Sequence, residues 1–128
     1  MSLPRRFSIS IDGKPVVMPR EDPEQMPQAK TADYGGQPAV FEILGDHLIS
    51  GPFAMGRRNM EDRSLHPKSV VWCPMEHMNE LQPVQVEMRE DGPELSFNGC
   101  RLALIEGQVV CPLIPEMAPS QRVEIRPE

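Results

Sequence analysis

Three short segments of this chain repeat one another. Val16-Val17-Met18-Pro19, Val70-Val71-Trp72-Cys73-Pro74 and Val109-Val110-Cys111-Pro112 each read as a valine-rich strand closed by proline. After a loop of variable length, each is answered by an apolar–Glu–apolar strand: Phe41-Glu42-Ile43, Val86-Glu87-Met88 and Val123-Glu124-Ile125. The interval from cysteine to glutamate is 14 positions between Cys73 and Glu87 and 13 between Cys111 and Glu124. Two units also open alike, Leu48-Ile49-Ser50-Gly51 against Leu95-Ser96-Phe97-Asn98-Gly99. Recurrence at a period of roughly 40 residues is the signature of a repeated supersecondary unit.

The units are built from strands. FSISID, AVFEIL, HLISG, SVVWCP, VQVEMRE, ELSFNG, CRLALIEG, QVVCPLI and RVEIRP alternate apolar and polar residues, the pattern of half-buried strands. DG, GD, NG and EG dipeptides punctuate them, as tight hairpins require. Fifteen prolines in 128 residues oppose long helices, since an interior proline costs a helix ~3 kcal/mol. Three units of about four short strands each predict a single β-trefoil domain over 1–128: a closed barrel capped by hairpins, free of exposed sheet edges. The competing architecture is a β-sandwich whose valine-rich strands look alike by chance.

The formal charge of −6 argues against counterion-displacing contact with nucleic acid, and 5% aromatic residues against a base-stacking surface. No stretch approaches the ~18–20 apolar residues of a membrane span. The opening MSLPRRFSISIDG has no apolar core of a signal peptide, and three cysteines suit a reduced compartment. The expectation is a cytoplasmic protein that meets neither nucleic acid nor membrane.

Within that acidic chain, positive charge gathers in one connection. Nineteen positions separate Gly51 from Val70, but ten separate the equivalent Gly99 and Val109. The second unit is thus nine residues longer, an insertion that falls in the segment Gly56-Arg57-Arg58-Asn59-Met60-Glu61-Asp62-Arg63-Ser64-Leu65-His66-Pro67-Lys68. The first unit carries its own, Arg20 to Gln37, with Arg20 and Lys30 among Pro19, Pro23 and Pro27. Loops lengthen at small thermodynamic cost, and inserted loops on a rigid scaffold often carry function. As plain solvated loops, they would hold only surface ion pairs such as Arg58–Glu61, worth little. As proline-flanked extended loops with basic side chains, they mimic the substrate of a trypsin-like protease, whose specificity pocket has an acid at its base.

Other chemistry is poorly supported by the residues. His47, His66 and His77 lie in no hydrolase or nucleophile motif, so the chain is not expected to be an enzyme or to carry a cofactor. Cys73 and His77 stand four apart, but zinc wants paired short motifs and no second pair is visible. Cys73 and Cys111 fall at equivalent repeat positions and are better placed as small buried residues. Trp72 beside Val70 and Val71 predicts core packing. Because Tyr34 and Trp72 are not repeat-equivalent, a glycan-binding trefoil remains the alternative, alongside a non-inhibitory interaction domain.

The order of Gly56-Arg57, Glu61-Asp62-Arg63-Ser64-Leu65 and Pro67-Lys68, ahead of a valine-rich strand, resembles the fungal β-trefoil serine protease inhibitors of the cospin and cnispin type, mushroom defence proteins. Val123-Glu124-Ile125 is a second echo, although the corresponding strand of that family often carries tryptophan. The likeness covers residues 51–128. It implies an inhibitor that inserts an exposed loop into a trypsin-type enzyme as a substrate would. The binding loop is then the one holding Arg57, Arg58, Asn59, Met60 and Arg63, with Arg57, Arg58 or Asn59 filling the pocket. Members use different loops, so Pro115–Arg122, with Met117 and Arg122, is a second candidate beside Arg20 and Lys30.

Overall fold

The computed structural model describes residues 3–61, 63–114 and 121–128. It is all-β, with several antiparallel sheets. The strands are β1 (Phe7–Ile11), β2 (Lys14–Pro15), β3 (Glu42–Leu44), β4 (His47–Ser50), β5 (Phe53–Arg57), β6 (Lys68–Pro74), β7 (Gln85–Arg89), β8 (Gly92–Phe97), β9 (Cys100–Arg101), β10 (Ala103–Ile105), β11 (Gln108–Cys111) and β12 (Val123–Pro127). Short 3-10 turns at Pro23–Gln25, Ala32–Tyr34 and Met75–Glu80 complete the described structure.

Tight turns set the hairpin registers. Asp12–Gly13, Gly45–Asp46, Asn98–Gly99 and Glu106–Gly107 all take positive φ at both residues. That is the mirror-image turn whose twist matches the flanking strands, and it explains the recurrent glycine with Asp, Asn or Glu. The Glu106–Gly107 turn joins β10 to β11, pairing Ile105 with Gln108.

The sheet orders are β12-β1-β2, β10-β11-β6-β5-β4-β3 and β7-β8-β9. β1 and β12 pair along their length, from Phe7 opposite Pro127 to Ile11 opposite Val123. Phe7 and Phe41 exchange backbone hydrogen bonds (3.0 and 2.6 Å), which ties β1 to the start of β3. The CRLALI run divides at Leu102: β9 pairs with β8 and β10 with β11, so the chain crosses from one sheet to the next.

One main core gathers Phe7, Ile9, Ile11, Val16, Phe41, Leu48, Val70, Trp72, Phe97, Val109 and Cys111. Val16, Val70 and Val109, the repeat-equivalent residues, are all fully buried in it. Trp72 stacks on Phe41 with ring centroids 5.8 Å apart, and Phe53 meets it edge-on at 6.5 Å. Alternate residues of β6 face a second cluster, in which Val71 and Cys73 pack with Ile49, Ala54 and Leu81 beneath Met26 and Met78. β6 is therefore buried on both faces. β7 departs from the expected half-buried strand. All five of its residues are exposed, Val86 and Met88 at 37% and 46%.

Candidate functional site

The two insertions fold differently. In the first, Asp22 caps the Pro23–Gln25 turn by accepting from the Glu24 N–H at 3.0 Å. Residues 27–31 then run between the repeated valine segments, of which the first, expected as a strand, makes only isolated bridges at Val16 and Val17. Pro27 accepts from the Trp72 N–H (2.9 Å), and the Ala29 N–H donates to Val70 (2.8 Å). Ala29 also accepts from Val109 (2.9 Å), Lys30 accepts from Val17 (3.0 Å), and the Thr31 N–H donates to Gly107 (3.0 Å). The Gln28 side-chain amide adds a bond to the Val109 carbonyl at 2.7 Å. Ala29 and Thr31 are fully buried, so this short strap is bridged into the interior rather than being a solvated loop.

Of the candidates, Lys30 lies in the strap and Arg20 precedes it. Lys30 pairs with Glu21 at 2.9 Å, and that hydrogen bond holds the Glu21 carboxyl below its usual pKa. With Met18, Gln28 and Trp72 they line a cavity of about 300 Å³. Trp72 is only 1% exposed and offers no open platform to a sugar.

The second insertion begins inside a strand. Gly56 closes in against Phe97 and Leu81, where an added Cβ would lie 3.3 Å from the Phe97 ring. Arg57, the next residue, lies opposite Val70 in the β5–β6 ladder, and its side chain is buried. The Arg57 Nε donates to both Glu61 carboxylate oxygens (3.0 and 3.1 Å), and Nη1 donates to the Phe97 carbonyl (3.3 Å). The side chains are 8% and 15% exposed, and the Glu61 hydrogen bond raises the Arg57 pKa. Arg57 is a buried brace, and its partner is the carboxylate expected to meet Arg58.

Arg58 and Asn59 lie on the surface but their backbones are engaged. Gln82 donates from its N–H to the Arg57 carbonyl (2.7 Å) and from its side-chain amide to the Arg58 carbonyl (3.0 Å). The Asn59 N–H donates to Glu80 (2.9 Å) and its side-chain amide to Asn79 (2.8 Å). Beyond them Met60 and Leu65 are exposed at 83% and 69%, with Arg63 and His66 also on the surface. Lys68 closes the segment. Its buried ammonium donates to the Ser64 carbonyl at 2.8 Å and meets the Ser64 hydroxyl at 3.4 Å. Beneath lies a recess of about 450 Å³ lined by Met60, Glu61, Ser64, His66 and Lys68.

The remaining candidates are less informative. Met117 and the rest of 115–120 lie outside the described residues. Arg122 is exposed, 3.8 Å from Glu124, and its carbonyl accepts from the Asp12 N–H at 2.7 Å. Neighbouring Gln121 exchanges two hydrogen bonds with the Leu104 backbone (2.6 and 2.7 Å), fixing the end of that segment.

Sequence reasoning missed Lys68 and Gln82 as supports of the inserted loop. The i, i+4 spacing of Arg57 and Glu61 was the one available signal for the brace. Among the described residues, no group of His, Cys, Asp and Glu is placed to hold a metal ion, and no helix is long and apolar enough to cross a membrane. Burial pushes the Cys73 and Cys111 thiols up to about 11 and about 12. No protein-family model, curated protein or solved structure matches the chain.

Proposed function

We propose that this protein is a β-trefoil serine protease inhibitor, not an enzyme, acting on trypsin-like proteases through its 58–67 loop. The trefoil reading is supported by the equivalent burial of Val16, Val70 and Val109 and by the β1–β12 ladder joining the first and last described strands. The β5–β6 and β10–β11 pairs carry the repeat-equivalent Cys73 and Cys111, and the strap makes backbone hydrogen bonds to Val17, Val70 and Val109, one segment of each unit.

The observation that carries the inhibitor reading is the loop's anchorage. It is held near one end by Arg57 on Glu61 and at the other by Lys68 on Ser64, yet Met60 and Leu65 remain in solvent. A segment already tied down near both ends loses little conformational freedom on docking, which is what tight, slowly cleaved binding requires. Exposed apolar side chains beside cations suit a protein partner better than a solvated linker.

The test is inhibition of trypsin-like, chymotrypsin-like and subtilisin-like proteases at micromolar protein. A chain whose residues 58–67 are replaced by a short polar turn serves as the comparison. Inhibition by the intact chain and its loss on replacement support the reading. An intact chain that inhibits none of these enzymes overturns it, leaving an interaction domain without inhibitory activity.

A further inference from the structure

Resting on that reading, we infer that the bond presented to the protease is Arg63–Ser64, with Arg63 the pocket-filling residue and Arg57 and Lys68 its positioning residues. A substrate-like loop must offer the carbonyl of its pocket-filling residue to the two N–H donors of an oxyanion hole. Each candidate is judged by where its backbone already points.

Arg57 fails on both counts, since its side chain is buried on Glu61 and its carbonyl accepts from Gln82 at 2.7 Å. Arg58 has an exposed side chain, but its carbonyl accepts from the Gln82 amide at 3.0 Å and its backbone bridges to Leu81. Asn59 is tied through backbone and side chain to Glu80 and Asn79. Residues 57–59 are thus laid along 79–82 and face their own protein. Arg63 is the remaining cation of the arch. It is exposed and makes no hydrogen bond or ion pair with another described residue.

Its neighbours are held on either side. Glu61, two residues before it, is clamped by Arg57, and Ser64, directly after it, is clamped by Lys68. If the bond is cut, the protease serine oxygen adds to the Arg63 carbonyl carbon and the C–N bond to Ser64 breaks. The serine proton, taken up by the protease histidine, passes to the Ser64 nitrogen. Both new ends stay anchored, so that amine remains beside the acyl group at high effective concentration and re-forms the bond ahead of water.

The experiment titrates a trypsin-like protease with the intact chain and with R63A, R58A, M60A, E61Q and K68M, following Ki, thermal melting and cleavage by mass spectrometry. R63A is expected to weaken inhibition about 100-fold or more at an unchanged melting temperature, as truncation of a hot-spot residue does, while R58A and M60A cost less than about tenfold. E61Q and K68M are expected to raise the cleavage rate more than they raise Ki, and the new amino terminus reads Ser64-Leu65-His66. Inhibition that survives R63A, or a cut after any other residue, overturns this assignment and leaves the inhibitor reading standing. An intact chain that does not inhibit overturns both.

Discussion

Residues 27–31 and residues 58–67 both depart from the repeat and both carry basic side chains, but their backbones are used in opposite ways. The strap spends its N–H and C=O groups on Val17, Val70, Trp72, Gly107 and Val109 and sends Ala29 and Thr31 inward. The arch has its main chain held by Gln82 at Arg57 and Arg58, by Glu80 at Asn59 and by the Lys68 ammonium at Ser64, and the Arg57–Glu61 contact adds a side-chain brace. One insertion has become part of the interior, and the other is suspended outside it. Polar composition alone does not decide between these outcomes. What differs is whether unpaired strand edges are available to the inserted chain.

The sharpest way to break the contrast is to charge each segment. Ala29→Arg places an uncompensated charge among buried strands and is expected to cost about 3–5 kcal/mol in urea unfolding. The same charge at Met60, Met60→Arg, is expected to stay within about 0.5 kcal/mol. Equal effects at the two sites would abolish the distinction between strap and arch. Next in size is Glu61→Gln, which removes the charge opposite a buried guanidinium and leaves it one neutral amide oxygen beside the Phe97 carbonyl; it is expected to cost about 2–3 kcal/mol, below a fully buried pair because Glu61 reaches solvent. Hydrogen exchange of the 58–61 amides should rise in that variant, while the Ala29 amide stays protected.

The thiols separate interior from surface by pH. Cys73 and Cys111 have folded pKa values near 11 and 12, raised first by burial from an ordinary 9.0. The unfolded chain sheds these protons first as pH rises. Stability is therefore unaffected below about pH 9 and falls between there and the folded values, with Cys111→Ser flattening the fall. At neutral pH a thiol reagent should label half-buried Cys100 well ahead of the other two. Lys30→Ala is also expected to have a small effect. Its exposed partner Glu21 makes the loss at most ~1 kcal/mol, and that loss should shrink in high salt.

Much of the fold is readable from period-two alternation and turn dipeptides. FSISI, HLIS, SVVWCP and QVVC appear as β1, β4, β6 and β11 because their apolar residues face a core on at least one side. QVEMR alternates as well, yet β7 is exposed throughout, since alternation reports that a strand has two faces and not that either is covered. The strap was invisible for the converse reason. Its inward residues, Ala29 and Thr31, are too few and too small to mark a periodic segment. In the arch, the insertion itself was legible from spacing, but the inward turn of Arg57 was not. It depends on a carbonyl forty positions away, a contact that no local pattern encodes.

The strap has a kinetic consequence. Gln28 bonds to a residue 81 positions further along, and its neighbours meet strands from three separate stretches of chain. Nothing can receive it until those stretches have converged, so loop closure must come before any reward. It should behave as a late-closing latch. Amides of 27–31 would then gain protection in the last refolding phase, and variants there would change the unfolding rate far more than the folding rate.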